Sequence, residues 1–82
     1  MINIKMNHYT LDEVSEHNTE EDAWIVVNNN VYDITDFLMK HPGGKSVLLQ
    51  VAGMDASEYF NELHQASILD DYGEDYKIGE LN

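Results

Sequence analysis

The tightest constraint on the fold is a pair of β-rich runs separated by three asparagines. Ala23-Trp24-Ile25-Val26-Val27 leads into Asn28-Asn29-Asn30, after which Val31-Tyr32-Asp33-Ile34 resumes the extended pattern. Branched and aromatic side chains favour extended backbone. Asparagine is the residue besides glycine that best tolerates left-handed turn conformations. The segment therefore predicts a β-hairpin.

Helix signals are short and closely spaced around this hairpin. Thr10-Leu11-Asp12-Glu13 has the form of a capping box and predicts a helix to about Glu16. Residues 17–22 are polar and read as a loop. Thr35 is the next expected N-cap, with Asp36 in the first turn, and that helix must stop by His41 because Pro42 disfavours helical backbone before it. Residues 46–52 predict a further helix ended by Gly53. Asp55 caps another from Ala56 to about Leu63, with Glu58 at its third position. Residues 66–72 suit one more short turn, and Tyr76-Lys77-Ile78-Gly79 suits a closing strand. Short strands with short helices between them predict an α+β fold. Such helices do not stand alone in water. They must pack, and Phe37, Leu38, Val47, Leu48, Val51, Phe60 and Leu63 are the expected inward residues.

The 82 residues suffice for one domain, 1–82, in which residues 1–7 are a loose lead-in. A domain of this size buries only roughly 60% of its unfolded surface, and many such domains add a disulfide, a metal or a cofactor. Cysteine is absent, which excludes disulfides, thiolate metal sites, iron–sulfur clusters and thiol nucleophiles. The formal charge of −12 excludes ordinary binding to a phosphate backbone and argues against anionic membrane surfaces. It suits solubility, or long-range steering toward a basic partner. No apolar run approaches a membrane span, and residues 1–7 are too short and polar for a signal peptide. The expectation is a soluble, cytoplasmic, monomeric chain, or else a domain trimmed from a larger or anchored protein.

Chemistry is concentrated at two histidines. His41-Pro42-Gly43-Gly44 sets an imidazole at a rigid helix end, beside glycines that let backbone approach a flat ligand. The same four residues also suit a plain helix terminus. His64 lies 64 − 41 = 23 positions later, at the end of a different predicted helix. Between them, Val47, Leu48, Val51, Ala56, Phe60 and Leu63 can form an apolar wall. Two imidazoles on two arms with such a wall can clamp a planar iron porphyrin. A catalytic zinc would want a third protein ligand, and none is evident. Glu58, Glu62 and Asp70 read as a solvated face, His8 and His17 as surface residues, and Met39 and Met54 as packing or surface residues. Trp24 is an expected core residue, as is Tyr32 with its hydroxyl bonded.

Taken together, an ordered set of fragments resembles the cytochrome b5 haem-binding domain over about Tyr9 to Leu81. The fragments are Ala23-Trp24-Ile25-Val26-Val27, Val31-Tyr32-Asp33-Ile34-Thr35, Phe37-Leu38, His41-Pro42-Gly43-Gly44, Ala52-Gly53, Asp55-Ala56, Phe60 with His64, and Ile78-Gly79-Glu80-Leu81. The resemblance implies a small mixed sheet, short helix pairs forming a haem crevice, and a second core around Trp24. It implies non-covalent haem b with His41 and His64 as axial ligands. By position, Val27, Ile34, Phe37, Pro42, Gly43, Val47, Leu48, Val51, Ala56, Phe60 and Leu63 line the crevice. The stretch from Phe60 to His64 is one residue shorter than in microsomal members and resembles b5 domains fused to flavin or molybdenum enzymes. Gln65 stands where many members carry a serine that meets a haem propionate, and Tyr72 is a second candidate for that contact. The implied function is one-electron transfer, without substrate turnover, between a flavoprotein reductase and a haem or non-haem iron acceptor of the oxidase or desaturase type. The rival reading is a haem or small-molecule binding module without electron transfer, against which the two histidines count. A haem enzyme with an open iron site would require one of the histidines to be easily displaced.

Overall fold

A computed structural model describes residues 7–39, 45–62 and 76–82. Strand β1 (His8–Tyr9) leads into helix α1 (Leu11–Ser15), followed by β2 (Asn18–Thr19), β3 (Asp22–Val27) and β4 (Asn30–Asp33). A 3-10 turn (Phe37–Met39) precedes helices α2 (Lys45–Leu49) and α3 (Ser57–Glu62), and β5 (Lys77–Leu81) closes the sheet. The five strands are ordered β1-β5-β4-β3-β2. All pairings are antiparallel except β1 with β5, so the sheet is mixed and the fold α+β, as expected.

The hairpin forms at the three asparagines. Asn28 and Asn29 adopt φ of 51° and 71°, the left-handed conformation that asparagine tolerates, while Asn30 already pairs with Val27. Side chains alternate from β3 onward. Ala23, Ile25 and Val27 face one core with Tyr32 and Ile34, and Val26 faces another with Val31. Both faces of β3 are covered, which explains its nearly unbroken apolar run.

The larger core adds Phe37 and Leu38 from the 3-10 turn, Leu48 from α2, Ala52, Ala56, and Phe60 from α3. The smaller core is Val14 of α1 with Val26 and Val31, against which Tyr9, Trp24, Ile78 and Leu81 pack. Trp24, expected in the core, is half-buried instead. His17 stacks on its face at 3.6 Å and Tyr9 meets it edge-on at 5.0 Å, so its ring lies beneath a surface layer.

Several local expectations are met in detail. Thr10 Oγ1 accepts from the Glu13 amide at 3.1 Å, and the Glu13 carboxylate accepts from the Thr10 amide at 3.0 Å, completing the capping box. Asp55 accepts from the Ser57 amide at 3.0 Å, but α3 begins at Ser57 rather than Ala56, which makes Glu58 its second residue rather than its third. Others are corrected. Residues 17–22 are not wholly loop: Asn18 and Thr19 pair with Ala23 and Asp22 as a two-residue strand. Thr35 does not cap a helix. Asp33 accepts from both the amide and the hydroxyl of Thr35, whose oxygen in turn accepts from the Ala23 amide at 3.0 Å. The hydroxyl thus closes the hairpin base, and only a 3-10 turn follows. α2 ends at Leu49, short of Ala52, although Gly53 does adopt the left-handed φ of 77° expected after it. The turn expected at residues 66–72 lies outside the described residues.

Candidate functional site

Two arms converge on one face of the sheet. The first consists of the 3-10 turn and α2, which flank His41 in sequence and contribute Phe37, Leu38 and Leu48 to the larger core. The second is the segment from Ala52 through α3, whose last residue, Glu62, stands two positions before His64 and which contributes Ala56 and Phe60. Among the expected crevice residues, Val27, Ile34, Phe37, Leu48, Ala56 and Phe60 are all buried in this single cluster. Val51 packs against its margin half-buried, and Val47 is half-buried outside it. His41, Pro42, Gly43, Leu63, His64, Gln65 and Tyr72 lie outside the described residues.

The chemistry of the cluster suits a porphyrin face. Its members are aliphatic or aromatic, and among the described residues no buried side-chain nitrogen or oxygen lacks a hydrogen-bond partner. An apolar wall of this kind offers contact to a flat conjugated ring without leaving a polar group desolvated. No group of three His, Asp or Glu among the described residues is arranged to hold a metal ion. His8 is exposed and His17 is engaged with Trp24 and Asp22, the latter at 2.7 Å. Met39 is 81% and Met54 52% exposed. Both therefore stand at the surface.

The second arm is fastened to the sheet along the outer edge of β3. Gly53 donates to the Trp24 carbonyl at 2.6 Å, the Val26 amide donates to Met54 at 3.0 Å, and Ala56 donates to the Val26 carbonyl at 2.7 Å. The Asn28 amide continues the series to Ser57 Oγ at 2.7 Å, and the side-chain amides of Asn28 and Asn61 bond to each other. Sequence reasoning passes over Ser57 and Asn61, because pairing across 33 residues leaves no local period to read. The first arm is tied to the β2–β3 turn by an ion pair between Lys45 and Glu20.

An acid-lined depression of about 380 Å³ is bordered by Glu21, Asp22, Asp33, Thr35, Asp36, Tyr76 and Ile78. Its carboxylates make it unlike the apolar cluster, although Tyr76 touches both by packing on Phe37 at 5.2 Å. No helix among the described residues is long and apolar enough to cross a membrane.

Comparison with known proteins gives a consistent result. Residues 10–82 match the family model described as a cytochrome b5-like heme/steroid binding domain. A cytochrome b5 of Drosophila melanogaster is 47% identical over 73 residues, covering 89% of this chain and 54% of that protein. An NADH nitrate reductase of Cucurbita maxima is 46% identical over 80 residues, covering 98% of this chain but 9% of the enzyme. Among solved structures, the cytochrome b5 of Ostreococcus tauri virus 2 superposes with a TM-score of 0.82 at 42% identity, over 89% of this chain and 94% of that one. The chain spans about half the length of the curated cytochromes b5 it matches.

Proposed function

The chain belongs to the cytochrome b5 family, and from that premise we propose that it is a one-electron carrier that holds haem b between His41 and His64. The observation that carries this reading is the convergence of the two arms, each adjoining one of the histidines in sequence, on a single apolar cluster. Val27, Ile34, Phe37, Leu48, Ala56 and Phe60 line the ring's site, joined by Pro42, Gly43, Val47, Val51 and Leu63, while Gln65 and Tyr72 meet the propionates. His41 and His64 would hold the haem, which would supply reversible one-electron chemistry and, with both histidines engaged, would leave no place for a substrate.

The side chains have separable tasks. The apolar residues exclude water and so raise the cost of extra charge near the ring. In the sequence, Pro42 disfavours helical backbone at His41, and Gly43 would add no side chain against a flat ligand. The acidic surface, at a formal charge of −12, steers basic partners and repels acidic ones. The partners proposed are a flavoprotein reductase and a haem or non-haem iron acceptor. The likeness to a segment of nitrate reductase supports a module that serves redox chemistry performed elsewhere, with no substrate turnover of its own.

The test is the visible spectrum of the haem-reconstituted protein, ferric and then reduced. Sharp low-spin bands that carbon monoxide leaves unchanged are expected. His41→Ala and His64→Ala should each abolish the six-coordinate spectrum and weaken haem retention. A parent protein that is high-spin and binds carbon monoxide would point to a catalyst or sensor, and one that takes up no haem to a binding module of another kind.

A further inference from the structure

We propose that Asn28 and Asn61 form a positioning latch that fixes the rotation of α3 against the sheet and thereby the orientation in which His64 is presented. The inference rests on the haem-carrier reading above. The two side-chain amides bond reciprocally: Asn61 Nδ2 donates to Asn28 Oδ1 at 3.1 Å, and Asn28 Nδ2 donates to Asn61 Oδ1 at 3.4 Å. The Asn28 main-chain amide donates to Ser57 Oγ at 2.7 Å, and Ser57 Oγ donates in turn to Asp55 at 2.6 Å. Ser57 and Asn61 are four residues apart in α3 and so share one face of it. Asn28, held at a φ of 51°, therefore touches two successive turns of the helix. Asn61 stands three positions before His64.

The need for such a restraint follows from the length of α3. At six residues it is less than two turns long. Its beginning is pinned by the Ala56 amide on the Val26 carbonyl and by Ser57 Oγ, which accepts from the Asn28 amide, and its middle by the fully buried Phe60. Apolar burial is non-directional and resists withdrawal more than rotation. The paired amides add the directional contact, at the end of the helix nearest His64. Each bond is exposed to water and individually modest. Their value lies in acting together on a short element.

The backbone and latch contributions can be separated by substitution. Asn28→Gly preserves access to the left-handed conformation while deleting the amide, and Asn61→Ala raises the helix propensity of its position. Neither disfavours its own local backbone. Haem-reconstituted parent, both single variants and the double variant would be compared by haem transfer to excess apomyoglobin and by the g-values of the ferric low-spin signal. Each single variant is expected to lose haem roughly 3–10-fold faster, the worth of one or two exposed neutral hydrogen bonds, and to shift the g-values. The double variant should match the singles, because both delete one interaction. Asn28→Asp, which keeps the 3.1 Å bond, should fall between parent and glycine variant. Unchanged haem loss and g-values, additive effects, or a lowered melting temperature with unmoved g-values would each overturn the latch. A parent protein without a low-spin haem spectrum would overturn the carrier reading before any substitution is compared, and the latch with it.

Discussion

At the scale of single residues, Gly79 is the tighter of the two described glycines. A Cβ placed there would lie 2.5 Å from the Asn7 carbonyl oxygen and 2.7 Å from Tyr9 Cε2. The Asn7 oxygen is itself held by the Glu80 amide at 2.9 Å, so it cannot retreat without breaking the β1–β5 junction. Gly79→Ala should therefore cost about 1–3 kcal/mol, the range for overpacking a close contact, read as a lower urea midpoint at unchanged m-value. A variant as stable as the parent would mean that β1 yields at little cost. Phe60, fully buried at the meeting of the arms, is the corresponding position in the larger core. Phe60→Ala should lose about 3–5 kcal/mol, a large share of the stability of a domain this small. Thermal unfolding of the apoprotein would show it without reference to haem.

Among the elements, α1 gives the cleanest separation of local from tertiary effects. Its capping box satisfies two main-chain amides by reciprocal bonds between Thr10 and Glu13, while Val14 alone anchors it in the smaller core. Thr10→Ala should cost about 1 kcal/mol, measurable as a melting shift, and leave the haem spectrum in place, since α1 packs on the face away from the larger core. The capping box, the asparagine turn and the Asp55 cap were legible in the sequence because each is a contact between near neighbours. Thr35 was not: its hydroxyl serves Ala23, twelve residues back across the hairpin base, and its helix-start chemistry is identical on paper. β2 was equally hidden, since two exposed residues carry no period. Of the residues the sequence proposes for the site, Val27, Ile34, Phe37, Leu48, Ala56 and Phe60 share one core, an apolar clustering that a run of aliphatic and aromatic side chains announces. Val47, also proposed for the site, is half-buried on α2 beside the fully buried Leu48. Most of the interlock between the second arm and β3 comes from main-chain groups of Gly53, Met54 and Ala56, which side-chain patterns do not reveal.

At the scale of the molecule, charge and sheet topology govern what the protein meets. With a formal charge of −12, electron transfer with a basic redox protein should slow by about tenfold or more as salt rises from roughly 0.01 M to 1 M, because the screening length shrinks about tenfold over that range. Stopped-flow rates would decide it, and a salt-independent rate would locate recognition in apolar contacts instead. The sheet bears on a different kind of encounter. β3 is the most apolar strand; the outward main-chain positions of its apolar run are Trp24 and Val26, and Asn28, just past its end, continues the row. The amides of all three are bonded, to His17, Met54 and Ser57, and the carbonyls of Trp24 and Val26 are bonded to Gly53 and Ala56. A strand so closed cannot template a second molecule. The segment that carries the second arm is thus also a guard against aggregation: until residues 53–57 have docked, a folding chain exposes the edge most prone to join another.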